Sequence, residues 1–368
     1  MKPLEIYVHI PFCVRKCNYC DFLSAPASKK ERQEYIESLC GEIRSYGETA
    51  RAYRVVSIFI GGGTPSILEG EQMTAVFEAI RDTFFIEESA EITVEVNPGT
   101  VSKEKLKAYR LAGINRLSIG LQSADNGELK ILGRIHTFED FLETYRLARS
   151  AGFGNINVDL ISAIPGQSAE SFEKTLRKTA ELSPEHISAY SLIIEEGTPF
   201  YEIYGRKTDE TDCEYPPLPD EIRERQMYYD TKRILKEYGY HRYEISNYAK
   251  PGYECRHNLG YWDRAEYLGF GAGAASFLDH RRWTWGEEPE MLSREDEMEE
   301  YMFLGLRKME GVSKSGFEKQ FGTEIENVYK KVLADMEGKQ LLERKGDFIR
   351  LTERGIDVSN YVMSEFLL

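Results

Sequence analysis

The stretch "RVVSIFIGGGTP", Arg54 to Pro65, sets a run of β-branched and aromatic residues directly against a glycine-rich turn. A short apolar run bounded by glycine and proline predicts a buried strand. The pattern recurs in "LEIYVHI" (4–10), "AEITVEV" (90–96), "RLSIGL" (116–121), "NINVDLI" (155–161) and "HISAYSLII" (186–194). Between these runs the apolar spacing turns helical, as with Ile36, Leu39 and Ile43 in "ERQEYIESLCGEIRSY" and Phe141, Tyr145 and Ala148 in "TFEDFLETYRLARSAG". Strands alternating with helices predict βα units around a parallel sheet. Six such units in roughly 200 residues predict an α/β fold built on a partial (β/α)6 TIM-like barrel, open on one side.

The residues at the strand ends point to where chemistry would sit. The first strand runs into "CVRKCNYC" (13–20), the second into "GGGTP", the third into Glu95 and "NPG", the fourth into Gln122, and the fifth carries Asp159. All five features fall at the C-terminal ends of parallel strands, the end that carries active sites in such barrels. Singly, each has a plain reading. "GGGTP" lacks the Gly-Lys-Ser/Thr ending of a phosphate loop and serves equally as a sharp turn, while Glu95 and Asp159 alone could be helix caps or ion-pair partners.

The 368 residues carry a net charge of -15 and no Lys/Arg cluster, which argues against a nucleic-acid partner. No apolar stretch is long enough to span a bilayer, and the opening "MKPLEIYVHIPF" is too short and polar for a signal peptide, so a cytoplasmic location is expected. Three of the six cysteines, Cys40, Cys213 and Cys255, are scattered, which does not describe a disulfide framework. The other three, Cys13, Cys17 and Cys20, are too many for one disulfide and too few for a closed zinc site. Zinc completed by His9 or by Cys255, and a redox pair from "CNYC", remain alternatives. A [4Fe-4S] cluster held by three thiolates leaves one iron open to an added ligand.

A second motif, "CRHNLGYWDRAEYLGFGAGAASF" (255–277), sets a histidine beside a cysteine and two large aromatics. That grouping suits an axial iron ligand with rings against a flat macrocycle, and equally a packed loop around a buried histidine. The acidic, proline-containing stretch 203–225 reads as a loop. Beyond about residue 295 an amphipathic "IENVYKKVLADMEGKQLL" precedes "ERKGDFIRLTERG", a hairpin with a "KGD" turn. Helices followed by a β wing predict a winged-helix-like C-terminal domain, and without basic excess its expected role is structural or substrate-covering. The expected domains are a barrel over 1–205, a connecting region over 206–290 and the C-terminal domain over 291–368.

The Cys-x3-Cys-x2-Cys spacing after "YVHIPFC", followed in order by "GGGTP", "VEVNPG", "SIGLQS", "GRIH" and "NVDLI…PGQ", resembles the radical S-adenosylmethionine superfamily over nearly the whole chain. Within it the likeness is to the branch of oxygen-independent coproporphyrinogen III oxidase and the haem chaperones. The resemblance implies that Cys13, Cys17 and Cys20 ligate a [4Fe-4S] cluster whose fourth iron is chelated by S-adenosylmethionine. It implies Gly62, Gly63 and Thr64 at the methionine moiety, Glu95 at its amino group and Asp159 at the ribose. Gln122 and Arg134 would make further polar contacts, with Tyr19 near the adenine and Tyr7 near the cluster.

His257-Asn258-x-x-Tyr261-Trp262 matches the HNxxYW element of the chaperones, which implies haem at His257, Tyr261 and Trp262, with Cys255 as a rival ligand. Relatives typically read "GAHSF" where this chain has Ala275, so any role of that histidine is lost or moved here. Phe22 stands where the oxidase has a further cysteine, and Cys13 lies near the start of the chain where the oxidase has an arm. Both departures imply a haem chaperone, with the oxidase as the alternative. The implied partners are haem or porphyrin and client haem proteins, with transient contact with membrane haem proteins and homodimer formation as further options.

Overall fold

The structure, a computed structural model, describes residues 1–205 and 215–368. Six strands run parallel in chain order: β1 (Lys2–Ile10), β2 (Tyr53–Gly62), β3 (Phe85–Val96), β4 (Arg116–Gln122), β5 (Ile156–Ser162) and β6 (His186–Ser191). Helices cross between them, including Lys29–Ser45 and Phe138–Ser150, which start at the capping boxes Ser28/Glu31 and Thr137/Asp140. In each box a side chain satisfies an otherwise unpaired N–H of the first turn, which fixes where the helix begins.

The sheet continues past both edges of this run. Beyond β6 lie two short antiparallel strands, β7 (His241–Arg242) and β8 (Asn247–Ala249). Beside β1 lies β9 (Tyr267–Phe270), itself parallel to β1, followed by the antiparallel β10 (Ala275–Leu278), β11 (Arg281–Thr284) and β12 (Glu290–Met291). Among the described residues the parallel run therefore has seven strands, not six, because a segment of the second motif docks on the barrel's open edge. Two further differences concern strand ends. β3 begins at Phe85, ahead of the expected Ala90, and β6 stops at Ser191, leaving Ile193 exposed without a partner strand. The loop expected over 203–225 falls partly on 206–214, outside the described residues; on its far side a helix begins at Glu221, capped by Asp220.

The sheet's two faces differ in chemistry. Ile6, Val8, Ile58, Ile60, Val94 and Val96 point outward and pack with Ile36, Leu39 and Ile43 of the first helix in one apolar core. The alternate residues point into the barrel and are polar: Glu5, Ser57, Glu91, Arg116, Asn157 and His186 are all buried. A parallel strand covered on both faces by apolar side chains would read as a continuous apolar run. Here Glu91, Thr93 and Glu95 alternate with Ile92, Val94 and Val96, so the barrel encloses polar groups that must find partners.

A separate core gathers Met302, Phe317, Ile325, Leu333, Ile349 and Phe366. It is formed by helices Arg294–Gly305, Lys314–Phe321 and Ile325–Gly338 with a small sheet of β13 (Val312–Ser313), β15 (Phe348–Leu351) and β14 (Leu342–Lys345). β14 and β15 turn at Gly346, whose φ of 60° the glycine permits, which is the winged-helix-like arrangement with the "KGD" turn. Among the described residues no helix is long and apolar enough to cross a membrane.

Candidate functional site

At the C-terminal ends of β1 to β6 opens a cavity of about 420 Å³. The loop after β1 brings Cys13, Cys17 and Cys20 to its wall as free thiols, with Tyr19 beside them. Burial pushes the Cys20 thiol up to about 11. Among the described residues no three His, Cys, Asp or Glu side chains gather tightly enough for a single metal ion. The turn after β2 supplies Gly62, Gly63 and Thr64. A Cβ on Gly62, whose φ is 116°, would lie 2.7 Å from the His9 ring; one on Gly63 would lie 2.7 Å from the Phe12 carbonyl oxygen and 3.0 Å from Cys13 Sγ. The cysteine loop packs directly on the glycine turn, which only residues without side chains allow.

Opposite the thiols stand two carboxylates from different strands. Glu95, on β3, accepts the Gly62 N–H at 3.1 Å. Burial and the nearby charge of Asp159 push it up to about 8. Asp159, on β5, is also raised by burial, against the opposing effect of its bonds to Ser118 (2.9 Å) and Asn157 (2.7 Å). Gln122 reaches the cavity from the end of β4 with a φ of 72°, a left-handed conformation uncommon outside glycine. Arg134 donates to Asn97 (2.7 Å), to the Gly120 carbonyl (3.0 Å) and to Cys17 Sγ (3.6 Å), while its buried Nε has no partner.

Every residue that the resemblance assigns to S-adenosylmethionine or the cluster lines this cavity except Tyr7. Tyr7 lies deeper, its hydroxyl 3.0 Å from His9 Nδ1, because its position on β1 falls two residues below His9 on the inner face. Asn97 joins the site without having been singled out by sequence. It holds Thr64 (2.8 Å) and Arg134 together, and its signal is present in "NPG", where the turn immediately follows a strand that ends in the site.

Tyr7 lines a second cavity, of about 260 Å³, with Phe59, His257, Tyr261, Tyr267 and Ala275. The imidazole of His257 is stacked on Phe59 (5.2 Å between centroids) and meets Tyr261 edge-on (5.0 Å). Burial, with the Arg116 charge adding to it, pushes His257 down to about 3, so the ring is neutral. Burial pushes Glu5, close behind it, up to about 8. Trp262 does not join this group. Its ring lies under the Arg307 guanidinium at 4.4 Å, because His257 and Tyr261 are four residues apart on one face of the helix Arg256–Trp262 and the next residue turns away. Cys255 is fully buried; its Sγ donates to Glu91 Oε1 at 3.4 Å, and burial pushes the thiol up to about 12.

The two cavities are joined through the barrel. From Asp159 the chain of hydrogen bonds runs to Asn157, on to His186 (2.6 Å), then to Tyr243 (2.8 Å), which accepts the Cys255 N–H (3.2 Å). Glu91 closes it by accepting from Cys255 Sγ and from the N–H groups of Arg256 and His257, both at 3.2 Å.

The chain as a whole is similar to known proteins in sequence and in fold. Residues 7–179 match the radical SAM superfamily and residues 292–358 the HemN C-terminal domain. The structure of coproporphyrinogen III oxidase (HemN) from Escherichia coli superposes with a TM-score of 0.84 at 24% identity, over 100% of this chain and 90% of that one, which establishes the shared fold. Among curated relatives, the heme chaperone HemW of Lactococcus lactis is 37% identical over 382 residues, covering 100% of this chain and 98% of the relative. HemW of Bacillus subtilis is 35% identical, with 98% of each chain covered. The chain belongs to the radical SAM superfamily, and within it to the HemW family. Membership of that superfamily implies a [4Fe-4S] cluster and S-adenosylmethionine.

Proposed function

We propose that this chain is a haem chaperone, which binds haem and passes it to client haem proteins with the help of a [4Fe-4S] cluster and S-adenosylmethionine. The observation that carries the chaperone reading is the likeness to heme chaperones HemW at 37% and 35% identity over essentially the whole chain; the cluster and S-adenosylmethionine are supported by the convergence of three free thiols and two carboxylates from separate strands on one cavity. The residues fit the group. The thiols come from one loop, the glycine turn beneath them has no room for a side chain, and an unpartnered Arg134 Nε lies buried beside Cys17.

In this reading Cys13, Cys17 and Cys20 each hold one iron. Bound there, the cluster would leave one iron without a protein ligand, open to S-adenosylmethionine. Glu95 receives the amino group and Asp159 the ribose hydroxyls, while Gly62 and Gly63 let the methionine moiety approach the backbone and Thr64 borders it. Gln122 and Arg134 contact the ligand's polar edge, and Tyr19 lies against the adenine. Two carboxyl groups held above their ordinary range are suited to a cationic ligand, whose charge returns both to the ionised form. Haem meets the chain at the deeper cavity, through His257 and Tyr261, with Trp262 holding the helix against Arg307.

The test is anaerobic reconstitution followed by two assays on one preparation. Stoichiometric haem binding without turnover of coproporphyrinogen III is the expected result. Decarboxylation of coproporphyrinogen III with 5'-deoxyadenosine formed in step would overturn the chaperone reading in favour of an oxidase.

A further inference from the structure

The helix Arg256–Trp262, which brings His257, Asn258 and Tyr261 to the deeper cavity, is held at its two ends by different parts of the molecule. At its start Glu91 of β3 accepts from the N–H groups of Arg256 and His257 and from Cys255 Sγ, which fixes that end to the barrel. At its finish three successive residues are each held by the C-terminal domain. Trp262 lies under the Arg307 guanidinium at 4.4 Å, and Asp263 pairs with Lys308. Arg264 Nε donates to Glu300 at 2.9 Å, and its Nη1 lies 3.8 Å from Glu297.

Arg264 stands where a glycine would be expected. The Ala265 N–H bonds the Gly260 carbonyl at 2.8 Å and the Arg264 N–H bonds the Tyr261 carbonyl at 3.2 Å, the two bonds that close a helix over a left-handed residue. Arg264 has the φ of 55° that this closure requires, a conformation that glycine takes without strain and other residues do not. Its side chain offsets that cost. It is 3% exposed and reaches Glu297 and Glu300, two buried acids three residues apart on one face of the helix Arg294–Gly305. The barrel core and the C-terminal core have no residue in common, so the domain can shift against the barrel without opening either.

We propose that the helix Arg256–Trp262 is a flap over the deeper cavity, hinged on Glu91 and latched at Arg264 by Glu297 and Glu300, so that movement of the C-terminal domain opens the cavity. His257 and Tyr261 travel with the flap, while Tyr7 and Phe59 stay on their strands. The closed state explains why the His257 ring is only 2% exposed, with a buried Nε2 that has no hydrogen-bond partner, although the ring forms part of the cavity wall. At about 260 Å³ the closed cavity is smaller than the roughly 300–1,000 Å³ usual for pockets that take drug-sized molecules, so a macrocycle enters only as the helix lifts. That occupant rests on the reading of the deeper cavity as the haem site; the latch does not.

The experiment is amide hydrogen exchange over residues 255–266 of the full, cluster-reconstituted chain, read by mass spectrometry, with haem association and dissociation followed by stopped flow on the same preparations. Iron and sulfide content measures intact folding. Arg264→Gly gives the helix end the residue its backbone favours and removes the latch. Exchange roughly tenfold faster than in the parent is expected, and haem should both enter and leave faster, with affinity moving less than either rate. Glu300→Gln, which leaves Arg264 in place, should act in the same direction. Glu353→Gln removes that residue's pairs with Lys232 and Arg242, elsewhere on the same domain, and should change neither exchange nor haem rates. Unaltered or slower exchange in Arg264→Gly would overturn the latch, since that is the result for a residue that only ends the helix. Equal acceleration in Glu353→Gln would overturn it too, by showing a general loosening of the domain. Faster exchange with unmoved haem rates would overturn the flap as the route of entry. A parent that binds no haem would sink the haem reading of the cavity, and exchange in the variants would still decide the latch.

Discussion

The cavity at the barrel mouth and the cavity beneath the helix Arg256–Trp262 are built from the same strands two levels apart. At the mouth β1, β2 and β3 contribute His9, Gly61 and Glu95, and the chain then leaves the sheet, so each strand is followed by a local loop that completes the site. One level down the same strands contribute Tyr7, Phe59 and Thr93, and below that Glu5, Ser57 and Glu91, with no loop of their own at hand. Those residues are completed by a segment from far along the chain, entering beneath them as Cys255 and His257. The mouth is therefore a site of strand ends and the deeper cavity a site of strand interiors. The first is expected to tolerate change in the barrel's core and the second to depend on it.

The largest effect that would break this comparison is at the cysteines. Since one loop provides all the thiols of the mouth, Cys17→Ser should remove most iron and sulfide from the reconstituted protein. Full iron content in the variant, or zinc in the purified protein, would show that the mouth is not a cluster site.

Next comes Arg116, on β4, buried among Glu91, Asp159 and the Cys255 thiol and thus a charge shared by both levels. Arg116→Met leaves those acids without a counter-charge and should cost about 3–5 kcal/mol of stability, measured by urea denaturation. A cost near zero would mean that the polar interior does not hold the two levels together.

Smaller changes are expected for the individual carboxylates. Asp159→Ala should weaken S-adenosylmethionine binding by roughly tenfold, as removal of a hydrogen-bonded buried acceptor does, while cluster content stays unchanged. Equal affinity in the variant, read by calorimetry, would remove Asp159 from the mouth's chemistry.

The smallest effect sharpens the comparison through pH. Glu95, raised to about 8 by burial, holds a proton at neutral pH that a cationic ligand displaces. Affinity should rise as pH climbs toward about 8 and level off above it, with proton release at pH 7 visible as a buffer-dependent binding heat. The same shift means that the folded ligand-free protein binds a proton which the unfolded chain gives up near 4.5, so this group's contribution to stability falls between 4.5 and about 8. Glu95→Gln should flatten both profiles; an unaltered slope would assign the pH dependence to another group.

The mouth is largely legible from residues alone. The three cysteines, "GGGTP", Glu95, Gln122 and Asp159 each stand at or near the end of an apolar run, and a strand end is a local property that periodicity exposes. Asn97 escapes such a reading because an asparagine before proline and glycine looks like turn chemistry, and only its bonds to Thr64 and Arg134 show it bracing the site. At the deeper cavity the HNxxYW element is visible, but its neighbours are not. Glu5, Ser57 and Glu91 look like single polar interruptions of apolar strands, and nothing in their spacing names a partner.

Sequence by itself determined the alternation of strand and helix and the gathering of chemistry at one end of the barrel. These follow from periods of two and of three to four residues, which act over short distances along the chain. Only the tertiary structure decided that β9 closes against β1, that Trp262 turns to Arg307 while His257 and Tyr261 share a cavity, and that Cys255 is tied to Glu91. Those outcomes depend on which distant segment fills the base of the barrel. Buried polar groups there must be paired, and the pairing is a property of the packed whole.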